Sequence, residues 1–403
     1  MTKEKSYLIY LLSCFLNGEM PKVEAVDWNT VYNLADINDV GAVVASVVYK
    51  LPKEKQPQGR AGSHFRQLIG QSIQHDAQRT TAYETVKEFL SENNVDFLPV
   101  KGIDVKDLYT SPELRTSGDI DIIVRESSFD KVCKLSGESE VQENFGITDF
   151  YIKAKTAYLR ISDFLVEIHS NPDVANDYFG DIFDVAEKAD KYEYRLKPYD
   201  SLMYVFLHLV KHIACDKGAG IRMFIDIDVI IRSIPDFDEN SFYDMCNKAG
   251  ELKHARIILS VISKAFNTPV KDTIGINSNP QFYDEMLDVV LDGGSFGYLV
   301  QSKGFYHYYR YVNPDESVTK GKRLLAMVRY VFPSPEYVRN YRSYSQKHAL
   351  LIPLAYIARA KDALIKRKTL AFSTFREIAT VKDKDIQQRK FLEKINNKDD
   401  IQE

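Results

Sequence analysis

A chain of 403 residues has room for roughly two to three domains and can bury a hydrophobic core. The apolar fraction of 44% is ordinary for a globular protein, and the net charge of -4 excludes a polycation that coats nucleic acid. Four widely separated cysteines exclude a secreted disulfide framework, so we expect reduced thiols in a cytoplasmic protein. No stretch is long and apolar enough to form a transmembrane segment.

The first part of the chain carries helical patterns. The apolar residues between positions 7 and 16 follow the spacing of an amphipathic helix, and no signal-peptide cleavage site follows them. Further helical patterns cover residues 25–49 and 64–93. We therefore predict an N-terminal helical region over residues 1–94.

The pattern then changes to one that is typical of strands. The apolar run 95–100 predicts a strand, and Lys101-Gly102 separates it from a short helix expected over residues 103–109. Residues 119–124 alternate polar and apolar at their start, as a strand with one buried face does. Three more strands are predicted, over residues 149–152, 157–161 and 164–169.

From residue 198 the apolar pattern is helical again, as far as about residue 380. The sequence therefore predicts an α+β protein, in which a small mixed sheet is embedded in a mostly helical chain. The predicted regions are an N-terminal helical region (1–94), an α/β core (95–197), a helical C-terminal domain (198–380) and a charged tail (381–403).

Two carboxylates lie close together on one predicted strand. Asp119 and Asp121 are two residues apart, so their side chains point to the same face. Adjacent carboxylates repel each other unless a cation lies between them, and hard oxygen ligands suit Mg²⁺. Glu167 would supply a third carboxylate if its strand lies beside that of Asp119. His169 shares a face with Glu167, and it either reaches this site or is a core or turn histidine.

The residues around these carboxylates form a longer pattern. The specific part consists of Leu98-Pro99-Val100-Lys101-Gly102, Leu108-Tyr109, Leu114-Arg115 and Gly118-Asp119-Ile120-Asp121-Ile122-Ile123-Val124. Further matches are Glu167-Ile168-His169, then His208, His212 and Asp226, and later Phe332 to Tyr337 with Tyr341. This pattern resembles an uncharacterised bacterial nucleotidyltransferase family of the DNA polymerase β-like superfamily.

The resemblance implies a nucleotidyltransferase core with a metal-dependent site and an NTP donor. Asp119 and Asp121 would bind Mg²⁺, with Mn²⁺ as the alternative ion. Glu167 would be a third metal ligand and catalytic carboxylate, which in the superfamily is more often Asp and often activates the acceptor hydroxyl.

Four further residues of the pattern are candidates for binding the nucleotide. Lys101-Gly102 stands where the wider superfamily has Gly-Ser, and Gly102 permits close approach of the backbone. Lys101 either offers positive charge to phosphate or is a surface lysine that follows a strand. Arg115 either clamps phosphate or pairs with Asp119 or Glu113. Gly118 precedes the acidic strand.

Two histidines and a basic stretch complete the candidate features. His208 and His212 share one face of an apolar helix, where they line the nucleotide cleft or form hydrogen bonds within the helical domain. Their spacing suits zinc, but no third ligand stands at a standard spacing. Residues 303–368 contain fourteen Lys or Arg and four Asp or Glu, which suits an anionic substrate or a solvated helical surface.

We therefore predict an enzyme that transfers a nucleoside monophosphate from an NTP, such as ATP, to an acceptor hydroxyl and releases pyrophosphate. The acceptor stays open between a small molecule, a sugar, a protein side chain and an RNA end. The alternative is a non-catalytic nucleotide-binding or regulatory protein on the same fold, acting with a partner protein as in a toxin–antitoxin pair.

Overall fold

The computed structural model describes residues 1–170, 176–214, 218–277, 279–295, 297, 302–312, 317–339, 348–362 and 368–397. Their contacts divide the chain into two compact units. The first unit is Met1–Ile213 with Ala219–Ser295, and the second is Ala214–Gly218 with Phe296–Glu403. The region boundaries at residues 94, 197 and 380 stay predictions from the sequence.

A five-stranded mixed sheet lies in the first unit. Its strands are β1 (Phe97–Val100), β2 (Asp119–Val124), β3 (Ile147–Lys153), β4 (Thr156–Ile161) and β5 (Phe164–His169). They are arranged in the order β1-β2-β5-β4-β3, and only the β2–β5 pair is parallel. Two short strands, β6 (Ala186–Lys188) and β7 (Tyr194–Leu196), form a separate antiparallel pair.

Helices make up most of the first unit, so the α+β prediction is confirmed. They are α1 (Lys3–Asn17), α2 (Trp28–Ile37), α3 (Gly41–Val48), α4 (Gly59–Glu92), α5 (Gly102–Lys106), α6 (Glu126–Ser136), α7 (Ser139–Asn144), α8 (Asn176–Phe179), α9 (Pro198–Ala214), α10 (Ile221–Ser233), α11 (Glu239–Lys248), α12 (Leu252–Phe266) and α13 (Pro280–Gly293). Short 3₁₀ turns lie at Lys53–Lys55, Pro112–Leu114 and Ile182–Asp184.

One face of the five-stranded sheet is covered by helices. Ile120, Ile122 and Val124 of β2 are buried in one cluster with Phe89 of α4 and Val132 of α6. The cluster also takes in alternate residues of the neighbouring strands: Ala157, Leu159 and Ile161 of β4, and Phe164, Val166 and Ile168 of β5. Because successive side chains of a strand point to opposite faces, the polar residues between them lie on the other face, which we call the open face.

The second unit is helical where it is described. Its helices are α14 (Lys303–Tyr311), α15 (Lys320–Val331), α16 (Pro335–Arg339), α17 (Ile352–Lys361), α18 (Lys368–Thr380) and α19 (Asp383–Asn396), with a 3₁₀ turn at Ala349–Leu351. Phe305, Tyr308, Ala326, Ile378 and Ile386 belong to its core. Residues 381–403, which the sequence predicts to be a charged tail, therefore contain the helix α19, and its Ile386 contributes to this core.

Three predictions from the sequence are tested only in part by the described residues. Cys14, Cys133 and Cys246 are free thiols, whereas Cys215 lies outside the described residues. Tyr341 also lies outside them, as does part of the basic stretch 303–368. Within the described part of the chain, no helix has the length and apolar character needed to cross a membrane.

The sheet core makes a direct prediction about stability. Leu159 is fully buried in the middle of β4, so Leu159→Ala should lower the free energy of unfolding by about 2–5 kcal/mol through lost burial and a cavity. Urea denaturation followed by circular dichroism measures the change. Ile152→Ala on the adjacent β3 is the control, because Ile152 is 51% exposed; equal losses in the two variants would contradict the assigned core.

Candidate active site

Three side chains that can bind a metal meet on the open face. Asp121 of β2 pairs in register with Glu167 of β5, and His169 follows two residues later on β5. One potential ligand atom from each of the three lies within 4.8 Å of those of the other two. The Nε2 atom of His169 is 3.1 Å from Oδ1 of Asp121 and 3.6 Å from Oε2 of Glu167. His169 therefore reaches the site and is not a core or turn histidine.

Asp121 is a buried carboxylate that is held in its charged form. Its exposed fraction is 4%, and Lys101 donates a hydrogen bond from Nζ to its Oδ1 at 2.9 Å. Burial alone would raise the pKa of Asp121, but the positive charge of Lys101 and the hydrogen bond from His169 hold it well below its ordinary value. Burial conversely lowers the pKa of Lys101, and the charge of Asp121 outweighs this and raises it. The two residues form a partly buried ion pair, in which Asp121 is buried and Lys101 is half-buried.

The backbone at the end of β1 brings Lys101 to this position. Lys101 has φ 54° and ψ -114°, which lies in a region that residues with a side chain rarely adopt. Gly102 follows, and a Cβ atom there would lie 3.0 Å from Oγ of Ser117 and 3.2 Å from Nη1 of Arg115. A side chain at this position would therefore crowd Ser117 and Arg115, and glycine lets the backbone pack this closely against the loop before β2.

Asp119 lies two residues before Asp121 on β2, so both side chains point to the open face. Ser117 donates a hydrogen bond from Oγ to Oδ1 of Asp119 at 3.1 Å. Asp119 is opposite Leu165 of β5, whereas Asp121 is opposite Glu167. The close group therefore contains two of the three predicted metal ligands together with His169, and metal binding by Asp119 stays a prediction.

Glu167 is only partly exposed and lies beside Asp121. Burial raises the pKa of its carboxyl, and the negative charges of Asp121 and Asp119 raise it further. His169 opposes this effect with a smaller influence. A carboxylate with a raised pKa takes up a proton more readily, which is the property required of a general base.

Thr156 of β4 supports His169 from the other side of its ring. Its Oγ1 lies 3.0 Å from Nδ1 of His169, and the two residues are opposite each other in the β4–β5 pair. This contact fixes the plane of the ring and leaves Nε2 directed at the two carboxylates. Sequence reasoning missed Thr156, although the two-residue turn at Ser162-Asp163 would have aligned it with His169.

Arg115 forms an ion pair with Asp226, a partner that the sequence did not suggest. Its Nε and Nη2 atoms donate to Oδ1 and Oδ2 of Asp226 at 2.8 and 2.7 Å, and Tyr109 donates to Oδ1 at 2.7 Å. Its remaining Nη1 donates to the carbonyl of Gly102 at 3.3 Å. Arg115 therefore joins α10 to the Lys101-Gly102 segment and pairs with neither Asp119 nor Glu113; phosphate binding by Arg115 stays a prediction.

The two histidines of α9 have ring centroids 4.7 Å apart. Burial lowers the pKa of His208 well below its ordinary value, and the charge of Lys101 lowers it further. This influence of Lys101 means that α9 lies beside the ion pair. Nδ1 of His208 is buried and has no hydrogen-bond partner among the described residues. Nucleotide binding by His212 stays a prediction.

Gly118, the last of the predicted nucleotide-binding residues, is exposed at the start of β2. A Cβ atom added there would meet no other atom within 4 Å. The protein itself therefore does not require glycine at this position, and its proposed role beside a nucleotide stays a prediction.

The fold and the site agree with the class of protein expected from the sequence. A small mixed sheet carries carboxylates on two adjacent parallel strands, next to a half-buried lysine. The chain belongs to a family described as uncharacterised nucleotidyltransferases, whose model matches residues 24–267. The predicted family is thereby confirmed, and the match includes β1 to β5, α9 and α10. No curated protein and no solved structure matches the chain.

The Lys101–Asp121 pair predicts the effect of removing one charge. Lys101→Met leaves Asp121 buried without its cation, which should lower the free energy of unfolding at pH 7 by about 3–5 kcal/mol. Adding Asp121→Asn should recover most of this loss, because the uncompensated charge is then gone. Chemical denaturation of the two single variants and the double variant measures the coupling; strictly additive losses would contradict a direct ion pair.

The same pair predicts a pH dependence. The folded-state pKa of Asp121 is lowered from 3.8, so the pair contributes stability above about pH 4 that is lost as the pH falls through the folded pKa. The penalty of Lys101→Met should therefore be larger at pH 7 than at pH 4, where Asp121 of the variant can take up a proton. Thermal denaturation at both pH values checks this, and an equal penalty would argue against it.

Proposed function

We propose that this protein transfers a nucleoside monophosphate from an NTP to an acceptor hydroxyl and releases pyrophosphate, in a reaction that depends on Mg²⁺ or Mn²⁺. The observation that carries the proposal is the register of β2 and β5. It places Asp121 beside Glu167, with Lys101 bound to Asp121 and His169 within reach of both carboxylates.

The side chains of the open face fit a divalent cation. Asp121, Glu167 and His169 offer two carboxylates and one imidazole within 4.8 Å of one another, and Asp119 offers a third carboxylate on the same face. Carboxylates are the preferred ligands of Mg²⁺ and Mn²⁺. A cation bound there would offset the mutual repulsion of the acids and polarise the α-phosphate of the donor.

The donor phosphates are assigned to the β1–α5 end of the site. Lys101 supplies a positive charge there, and Gly102, which has no Cβ atom, lets the backbone beside Lys101 pack closely against Ser117 and Arg115. Arg115 holds Gly102 in place through its carbonyl and is itself held by Asp226. Gly118 and His212 complete the proposed nucleotide-binding set, which receives the pyrophosphate as negative charge develops on it.

Glu167 is assigned the role of general base. Burial is the largest influence on its carboxyl and raises its pKa, which suits Glu167 to accept the proton of the acceptor hydroxyl. The acceptor oxygen then forms a bond to the α-phosphorus, while the bond from that phosphorus to the bridging oxygen of the β-phosphate breaks. The electron pair of the broken bond leaves with pyrophosphate.

The activity is tested with each labelled NTP, Mg²⁺ or Mn²⁺ and a cell extract that supplies acceptors. Asp121→Asn should abolish pyrophosphate release and labelling, and Glu167→Gln should reduce the rate by about 10²- to 10⁴-fold, the usual contribution of a general base. Glu126→Gln is the matched control, since Glu126 is an exposed acid that pairs with Lys155 on the surface.

Two results would contradict the proposed transfer reaction. A wild-type protein that binds NTP but releases no pyrophosphate with any fraction of the extract would be a non-catalytic nucleotide-binding or regulatory protein. Activity that is unchanged in Asp121→Asn would exclude this site as the centre of the reaction.

The imidazole predicts which ion the site prefers. A nitrogen ligand suits a first-row transition metal better than Mg²⁺, so Mn²⁺ should bind more tightly than Mg²⁺ to the wild-type protein. His169→Ala should weaken Mn²⁺ by at least the roughly tenfold loss that even an outer-shell partner causes, and Mg²⁺ by less. Electron paramagnetic resonance of free Mn²⁺, with Mg²⁺ as competitor, measures both affinities. Equal losses for the two ions would show that His169 is not a ligand.

A further inference from the structure

Two tyrosines extend the row of functional side chains across the open face. Asp121 of β2 is opposite Glu167 of β5, Glu167 is opposite Tyr158 of β4, and Tyr158 is opposite Tyr151 of β3. These four strands therefore each contribute one of the named side chains to a single cross-strand row. Neighbouring strands lie about 4.8 Å apart, so the tyrosines begin directly beside the proposed base.

The two tyrosine rings stack on each other and form a small aromatic surface. Their centroids are 4.7 Å apart and their planes differ by 6°, which is a stacked arrangement. Tyr151 is 46% exposed on the outermost strand of the sheet. A pair of stacked rings at the open edge of a site offers a face on which a further planar ring can stack.

Positive charge flanks this aromatic surface on the same face. Lys153 lies two residues after Tyr151 on β3, and Arg160 lies two residues after Tyr158 on β4, and both are exposed. Asp149 is the acid of this part of the face, opposite Arg160. Aromatic rings interleaved with Lys and Arg are the usual elements of a surface that binds a single nucleic-acid strand.

The two tyrosines lie at the end of the row from which the acceptor would approach in the proposed reaction. The attacking and leaving oxygens are roughly in line in phosphoryl transfer. In the proposed function, pyrophosphate leaves towards Lys101, at the β1 end of the row. The acceptor must then approach from the opposite side of the α-phosphorus, which is the side of Glu167, Tyr158 and Tyr151. The assignment of an acceptor subsite rests on that proposed function.

We propose that Tyr151 and Tyr158 bind the terminal bases of a single-stranded polynucleotide, whose end carries the acceptor hydroxyl, while Lys153 and Arg160 contact its phosphates. Bases supply the planar rings that the stacked tyrosines accept, and phosphates supply the negative charge that the two cations require. A neutral sugar would make no use of the cations. RNA and DNA share this chemistry, and the experiment separates them.

Binding is measured by fluorescence anisotropy with labelled single strands of ~8 nucleotides, one RNA and one DNA, without NTP so that no transfer takes place. The wild-type protein should bind at least one of the two strands. Tyr151→Ala with Tyr158→Ala should weaken binding by about tenfold or more, because base stacking is lost. Tyr151→Phe with Tyr158→Phe should retain binding, because the rings remain.

Two further variants separate recognition from loss of folding. Lys153→Ala with Arg160→Ala should weaken binding and reduce its dependence on salt, because two phosphate contacts are removed. Tyr306→Ala is the matched control, since Tyr306 is a 58% exposed tyrosine of the second unit; it should bind as the wild type does. Mn²⁺ affinity should be unchanged in the phenylalanine and Lys153/Arg160 variants, which shows that the open face is intact.

The outcomes separate this proposal from the proposed function. If the wild type binds neither strand, or if the double alanine variant binds as well as the wild type, the polynucleotide subsite is wrong, even where pyrophosphate is released in the extract. Labelling of only a sugar or a protein would also overturn it. If the labelled RNA or DNA binds through the tyrosines but no NTP is ever consumed, the polynucleotide subsite is supported and the proposed transfer reaction is wrong.

Discussion

The partly buried ion pair between Lys101 and Asp121 is the interaction on which the candidate site depends. A carboxylate that is 4% exposed stays charged only if a cation compensates the loss of water. Lys101 reaches it from a backbone conformation with φ 54°, which Gly102 supports by packing closely against Arg115. Arg115 is in turn held by Asp226 of α10. A continuous set of contacts thus leads from the helical part of the unit to the acidic strand.

This arrangement is costly for the fold, which points to a role in the chemistry. A non-glycine residue in a sparsely populated backbone region costs on the order of 1–3 kcal/mol, and a buried ion pair often stabilises a protein no more than apolar residues of the same size. The core around Ile122, Val166 and Phe89 offsets these costs. Strain and buried charge that are maintained by packing elsewhere are typical of sites that bind ligands or catalyse reactions.

Local pattern was enough to predict the five strands of the mixed sheet, but it was not enough to predict the β6–β7 pair or partners far apart in the chain. The alternation in residues 119–124 and 164–169 predicted both acidic strands and the face that Asp121 and Glu167 share. Nothing local indicates that Arg115 pairs with Asp226, because 111 residues separate them. The many charged residues after position 381 also led us to predict a tail in place of the helix Asp383–Asn396. Its buried Ile386 and Leu392 are spaced among exposed polar residues. Partners of this kind depend on how helices pack, and a single sequence carries little information about that.

The geometry of the site follows from the apolar residues on the opposite face of the sheet. Because side chains alternate, a slip of one residue between β2 and β5 would turn Glu167 into the core and bring Ile168 or Val166 to the open face. Such a slip would bury an acid among Ile120, Ile122 and Phe89, at a cost far above that of any contact it could gain. The hydrophobic core therefore sets the register, and the register brings Asp121, Glu167 and Tyr158 into one row. The same alternation that buries the isoleucines positions Asp121 and Glu167 beside the tyrosines, so the arrangement of the open face is a consequence of packing on the closed one.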